Sequence, residues 1–140
     1  MTDLPGVILA GGLSRRMGGG DKGLINLGNK TILGRVIDKI EPQVSDLAIN
    51  INGDHSRFPK YPYSLIADSI EGFAGPLAGV LAGMDWAFKN DFQAIITLAA
   101  DTPFLPEDLV ERLAVFAEKK NSEITMASAR DPITGEVRVH

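Results

Sequence analysis

Residues 6–12 read Gly-Val-Ile-Leu-Ala-Gly-Gly, an unbroken apolar run that gives way to glycines. A strand with one wet face alternates apolar and polar side chains. An unbroken run instead marks a strand buried on both faces, as in a parallel sheet covered by helices. Such a first strand is central, and the glycine turn after it opens onto the carboxyl edge of the sheet, where α/β proteins hold their ligands. The rest of the chain repeats the alternation. Thr31 is placed to cap a helix whose Ile32, Leu33, Val36, Ile37 and Ile40 recur at helical spacing up to Pro42. Residues 47–52 read as a strand ending at Gly53, and residues 64–67 as a shorter one ending at Asp68, with a Pro- and Tyr-rich loop between them. Pro76 opens a second helix, with Leu77, Val80, Leu81, Met84 and Phe88 on one face and Gly79, Gly83 and several alanines keeping it slim enough to lie close on a sheet.

Residues 93–100 give another buried-strand pattern, stopping abruptly at Asp101. Pro106 opens a third helix, with Glu107 and Asp108 in its first turn, Leu109, Val110, Leu113 and Phe116 apolar, and Lys119 and Lys120 at its end. Residues 124–127 read as one more strand and residues 131–135 as a turn, after which the sequence stops at His140 with no closing helix or strand. Strands alternating with helices imply right-handed crossovers and a three-layer α/β/α, Rossmann-like, mostly parallel sheet. With 140 residues the expectation is a single domain over residues 1–140.

Composition narrows the chemistry. Lys and Arg total 14 against 18 Asp and Glu, a net charge of −4, so the chain offers no basic field for a nucleic acid and any phosphate must be held locally. The absence of Cys removes disulfides, thiolate metal sites and Cys nucleophiles, and suits a reducing cytoplasm. The first residues carry no basic segment, and no apolar stretch is long enough to span a bilayer, which predicts a cytoplasmic chain with no membrane partner.

The residues to interrogate are those just after each strand. The loop 11–22 holds five glycines and the cations Arg15, Arg16 and Lys22 directly after the first strand. Glycines let backbone N–H groups approach phosphate oxygens, while Arg supplies a forked donor and Lys a compact charge. The loop is not a Walker A motif, because Lys22 is followed by Gly23 and not by Ser or Thr. Residues 18–23 match G-x-G-x-x-G as a string but lie six residues beyond Gly12, outside the first βα turn where that fingerprint acts. Asp101, at its strand end, suits a hard cation such as Mg²⁺ bridged to phosphate oxygens, or a turn-forming role. Asp68 can accept from a base or ribose, or solvate its turn. Asn50 and Asn52 alternate along one strand and so share a face, where an amide pair could read a base edge. Residues 72–79 lead through glycines into a helix N-terminus, whose free N–H groups favour an anion or a ribose hydroxyl. His55 and His140 have no ligand-spaced partner, and Trp86 reads as packing.

Together, Leu9-Ala10-Gly11-Gly12-Leu13-Ser14-Arg15-Arg16-Met17-Gly18 followed by Asp21-Lys22 resembles the signature loop of the molybdenum cofactor guanylyltransferases. The likeness continues through residues 50–52, Asp68, Gly75-Pro76-Leu77-Ala78-Gly79 and residues 101–106, and covers nearly the whole chain. It implies a fold of the nucleotide-diphospho-sugar transferase type and transfer of GMP from GTP to molybdopterin, releasing pyrophosphate and forming molybdopterin guanine dinucleotide, with Mg²⁺ as cofactor. Carried onto this sequence, Leu9, Ala10, Gly11, Gly12, Ser14 and Gly18 cradle the nucleotide, and Lys22, Arg15 and Arg16 neutralise the triphosphate. Asp101 holds the metal, Asn50, Asp68 and Gly79 contact guanine or ribose, and Asn52, Gly75, Pro76 and Leu77 belong to the same binding site. The resemblance also implies proteins that deliver molybdopterin and mature molybdoenzymes, and an acceptor-side portion beyond the C-terminus of this sequence. The alternatives are a relative using CTP or a sugar phosphate, and a GTP-binding module without transfer activity.

Overall fold

The computed structural model describes residues 3–10, 26–52, 61–70 and 75–139, which fall into two compact units, Met1–Glu107 and Asp108–His140. In the first unit, β1 (Gly6–Leu9), β4 (Leu47–Asn50), β5 (Ser64–Ile66) and β6 (Ile96–Ala99) form one sheet in the order β5-β4-β1-β6, with every neighbouring pair parallel. The apolar run of the first strand lies at the centre as expected. Val7 pairs with Ala48 and Thr97, and Ile8 with Ile49 and Leu98. The chain builds outward from β1 through β4 to β5, then returns to the other side of β1 at β6. The strand order therefore reverses between β1 and β6, which makes that crevice the expected ligand position in an open parallel sheet.

Both faces of the central strands are closed, since β1 and β4 bury alternate residues on both sides. α1 (Ile32–Ile40) contributes Leu33, Val36, Ile37 and Ile40 to the core, and Thr31 caps it by accepting the Gly34 N–H at 3.0 Å. It ends, as expected, at a 3₁₀ turn over Glu41–Gln43 containing Pro42. A short antiparallel pair, β2 (Asn26–Leu27) and β3 (Lys30–Thr31), leads into α1, with Gly28 at a positive φ of 75° in its turn. These two-residue strands are too short to leave a periodic signal, so sequence reasoning missed them.

α2 (Pro76–Lys89) packs over β1, β4 and β5 with the opposite stripe from the one expected. Its buried residues are Ala78, Gly79, Ala82, Gly83 and Ala87. Leu77, Met84 and Phe88 face outward at 69%, 56% and 82% exposure, and Leu81 is also exposed. Backbone proximity decides this orientation: a Cβ at Gly83 would lie 3.1 Å from the Val7 side chain, so only the small-residue face can settle so close to the sheet. β6 also departs from a strand buried on both faces. Ile96 and Leu98 are buried while Thr97 and Ala99 are exposed, as suits the edge of the described sheet.

In the second unit, α3 (Leu109–Lys120) begins three residues after Pro106, because its N-cap is Asp108, whose carbonyl accepts from Arg112 N–H at 3.0 Å. Glu107 and Asp108 thus precede the helix, whose first-turn acid is Glu111, and Asn121 ends it in the left-handed region at a φ of 49°. The strand expected over residues 124–127 is not formed. β7 (Ser128–Arg130) lies further on and pairs antiparallel with β8 (Val137–Val139), an unanticipated strand. The turn between them sets this register: Asp131 N–H donates to the Glu136 carbonyl at 2.7 Å and Gly135 N–H to the Asp131 carbonyl at 2.9 Å.

Candidate functional site

The parallel sheet brings four chain segments to one edge. β1 delivers Leu9 and Ala10, and neighbouring strands fix both: Ala10 N–H donates to the Asn50 carbonyl at 2.8 Å, and Ala100 N–H to the Leu9 carbonyl at 3.3 Å. Since Ala99 pairs with Leu9, Asp101 lies two residues beyond that pair, beside the exit of β1 where the strand order reverses. Asp101 is half-buried. Among the described residues no cluster of three or more His, Cys, Asp or Glu could enclose a metal. The Asp101 carboxylate is the type of donor that a hard cation takes together with phosphate oxygens and water.

On the other side of β1, the ends of β4 and β5 form a hydrogen-bonded cluster. Ile51 N–H extends the β4–β5 ladder by donating to the Ile66 carbonyl at 2.9 Å. Beyond it, Asn50 Nδ2 donates to Asp68 Oδ1 and Asn52 Nδ2 to Asp68 Oδ2, each at 2.9 Å. Asp68 N–H returns a bond to Asn52 Oδ1 at 2.8 Å, and Asn50 Nδ2 also reaches the Ile66 carbonyl at 3.2 Å. Asn50 is 2% exposed and Asp68 is half-buried, so the carboxylate is the partly open member of the pair. The common face expected for Asn50 and Asn52 is present. Each amide, read from the sequence as a reader of a base edge, spends a donor on Asp68.

α2 closes the cluster from above. Gly75 is its N-cap at a φ of 127°, a left-handed value that favours glycine, and Pro76 is its first residue. A Cβ at Gly79 would stand 2.5 Å from Asn50 Oδ1 and 3.1 Å from the Leu9 side chain, so this position requires glycine. Gly79 is therefore brought to Asn50, as the shared site expected, while the Leu77 side chain points outward. Ser69 Oγ donates to Asp85 at 3.1 Å and ties the segment after Asp68 to α2. No sequence pattern signals that link across 16 positions. Trp86 packs against Phe92 with ring centroids 6.0 Å apart, in keeping with a packing role. Gly11, Gly12, Ser14, Arg15, Arg16, Gly18 and Lys22, with His55 and His140, lie outside the described residues.

Comparison with known proteins gives the family. The family model for the MobA-like NTP transferase domain matches residues 6–134. The molybdenum cofactor guanylyltransferase of Mesorhizobium japonicum is 48% identical over 128 residues, covering 91% of this chain and 62% of that protein. That of a Bradyrhizobium species is 45% identical over 130 residues, covering 91% and 61%. The chain thus spans about three-fifths of the length of the curated relatives it matches. Among solved structures, the molybdopterin-guanine dinucleotide biosynthesis protein A of Archaeoglobus fulgidus superposes with a TM-score of 0.63 at 24% identity, covering 89% of this chain and 59% of that one. A mycobacterial homologue of Rv0371c gives a TM-score of 0.67 at 22% identity, covering 89% and 62%. These two structures share the fold, a mostly parallel α/β sheet with helices. The chain belongs to the MobA-like NTP transferase family.

Proposed function

We propose that this chain carries the nucleotide side of a molybdenum cofactor guanylyltransferase, which transfers GMP from GTP to molybdopterin and releases pyrophosphate. The observation that carries this reading is the convergence of Asp101, the Asn50–Asp68–Asn52 cluster and the α2 N-terminus on the carboxyl edge of one parallel sheet. The near-half identity to curated guanylyltransferases supports the choice of nucleotide and acceptor. The family match runs from residue 6 to 134, across both compact units, which supports reading residues 1–140 as one nucleotidyltransferase-like domain.

In this reading, an oxygen of the molybdopterin phosphate attacks the α-phosphorus of GTP in line with the bond to the β-phosphate. That bond breaks, and its electron pair leaves with pyrophosphate. No covalent enzyme intermediate is needed, so the protein acts by positioning and by stabilising charge. Asp101 fits Mg²⁺, which when bound supplies positive charge to the phosphate oxygens. Backbone N–H groups of Gly11, Gly12, Ser14 and Gly18 cradle the phosphates, and Arg15, Arg16 and Lys22 neutralise them. Leu9, Ala10, Asn50, Asn52, Asp68 and the segment Gly75–Gly79 form the nucleoside end, with Asp68 accepting from the guanine or the ribose. The substrates are small molecules met in the cytoplasm in this reading; among the described residues no helix is long and apolar enough to cross a membrane. Proteins that deliver molybdopterin and accept the product are part of the same reading.

The test is single-turnover transfer of GMP to molybdopterin, followed by pyrophosphate release. Asp101→Ala and Lys22→Ala should each slow it by roughly 10²-fold or more, the usual loss on removing one group that stabilises transition-state charge. Unchanged turnover in both variants would contradict the assignment.

A further inference from the structure

The cluster at the ends of β4 and β5 separates two roles that the sequence assigns to a single amide pair. Asn50 is enclosed: its Nδ2 serves Asp68 and the Ile66 carbonyl, and its Oδ1 is pressed against Gly79. Asn52 is engaged at both ends of its amide by one residue, donating to Asp68 Oδ2 and accepting from Asp68 N–H. These two bonds close a ring that fixes the Asp68 side chain relative to its own backbone. An ionised carboxylate has about four lone-pair sites, two on each oxygen. Asn50 takes one on Oδ1 and Asn52 takes one on Oδ2. Among the described residues these are the side-chain donors to the carboxylate, which leaves one site on each oxygen for a ligand presenting two adjacent donors. Within a nucleoside, such a pair exists on the N1–H and 2-amino edge of guanine and on the 2′,3′-diol of ribose.

We infer that Asn52 is a positioning residue: it holds the Asp68 carboxylate so that both oxygens meet a paired donor of the nucleoside, and it acts on the nucleotide only through Asp68. This inference rests on the guanylyltransferase reading for the identity of the nucleotide. It predicts that Asn52 matters only while Asp68 is present, whereas a residue contacting the nucleotide directly would matter in either background. A residue serving the fold alone would shift stability without changing which nucleotide analogues are tolerated.

The experiment is calorimetric titration of four chains, unsubstituted, Asn52→Ala, Asp68→Ala and the double variant, with GTP, ITP and 2′-deoxy-GTP. Each chain is also followed by thermal melting. Asn52→Ala should weaken GTP binding by about ten-fold, as for loss of one hydrogen bond to a charged group. In the Asp68→Ala background the same substitution should change affinity less than about two-fold, because coupled residues do not add. The analogue that loses least on Asn52→Ala identifies the donor pair: ITP for the guanine edge, because it lacks the 2-amino group, and 2′-deoxy-GTP for the ribose diol. Asn52→Asp keeps the side-chain volume and the acceptor for the Asp68 N–H but sets a second carboxylate against Oδ2, so it should weaken binding at least as much as Asn52→Ala. The inference is overturned if the Asn52 and Asp68 effects multiply independently, or if Asn52→Ala and Asn52→Asp bind all three nucleotides as the unsubstituted chain does. If the unsubstituted chain binds no GTP, the proposed function fails and the inference fails with it. If it binds GTP while either of the first two results holds, the inference alone fails.

Discussion

At the scale of single residues, close contacts decide which substitutions the chain tolerates. Alanine exceeds glycine in helix propensity by about 1 kcal/mol, so propensity alone would make Gly79→Ala stabilising. The new Cβ would stand 2.5 Å from Asn50 Oδ1, in a buried pair whose other end holds Asp68. Gly79→Ala should therefore displace the Asn50 amide and weaken GTP binding by about ten-fold, the loss of a hydrogen bond to a charged group, with no gain in melting temperature. A stabilised chain with unchanged affinity would contradict the geometry. A second residue-scale prediction concerns Asp131. The backbone N–H groups of Thr134 and Ile133 donate to its Oδ1 at 3.0 and 2.8 Å and hold its carboxyl below the usual aspartate range. A lowered folded pKa means that this turn's stability is present above the ordinary aspartate value and is lost as pH falls through the folded one. The amide resonances of Ile133 and Thr134 should thus titrate below the range of an ordinary aspartate, and should lose that transition in Asp131→Asn. Residue types at the site were legible in the sequence, because strand ends can be counted. Their partners were not, because the bonds from Asn50 and Asn52 to Asp68 span 18 and 16 positions and depend on strand register.

At the scale of elements, the apolar patterns located β1, α1, β4, β5, α2 and β6, and the distance between helix and sheet then decided which face of α2 was buried. A hydrophobic stripe of Leu77, Leu81, Met84 and Phe88 outweighs alanines and glycines in any transfer-based reading of the sequence. Close approach to β1 nevertheless selects the small residues, since the Gly83 position meets Val7 and Ile95 side chains. Two substitutions separate the alternatives. Phe88→Ser, at an exposed position, should change stability by no more than about 0.5 kcal/mol. Ala82→Leu, on the buried face, should destabilise by about 1–3 kcal/mol through overpacking. Denaturant melts of the two variants check this, and a large loss from Phe88→Ser with tolerance of Ala82→Leu would return α2 to the orientation read from the sequence. β8 escaped sequence reading because its three residues are exposed and pair only through a local turn.

At the scale of the whole molecule, the strand order β5-β4-β1-β6 makes the separate residues a site. The two strands built outward from β1, β4 and β5, place Asn50, Asn52 and Asp68 on one side of it, and the return to β6 places Asp101 on the other. β1 ends between them, at Leu9 and Ala10. A nucleotide with its nucleoside at the Asp68 end and its phosphates toward Asp101 fits that division of polar groups. The order was legible only in outline: alternating elements implied parallel crossovers, while the position of β6 beside β1 depends on three-dimensional pairing that periodicity does not encode. The central claim is that this edge is a guanine nucleotide site, and calorimetric titration with GTP, CTP and ATP, each with and without Mg²⁺, tests it most directly. The account predicts that GTP binds in preference to the other two and that Mg²⁺ tightens it, with the Mg²⁺ effect lost in Asp101→Ala. Equal affinity for all three nucleotides, or no binding of GTP, would contradict it.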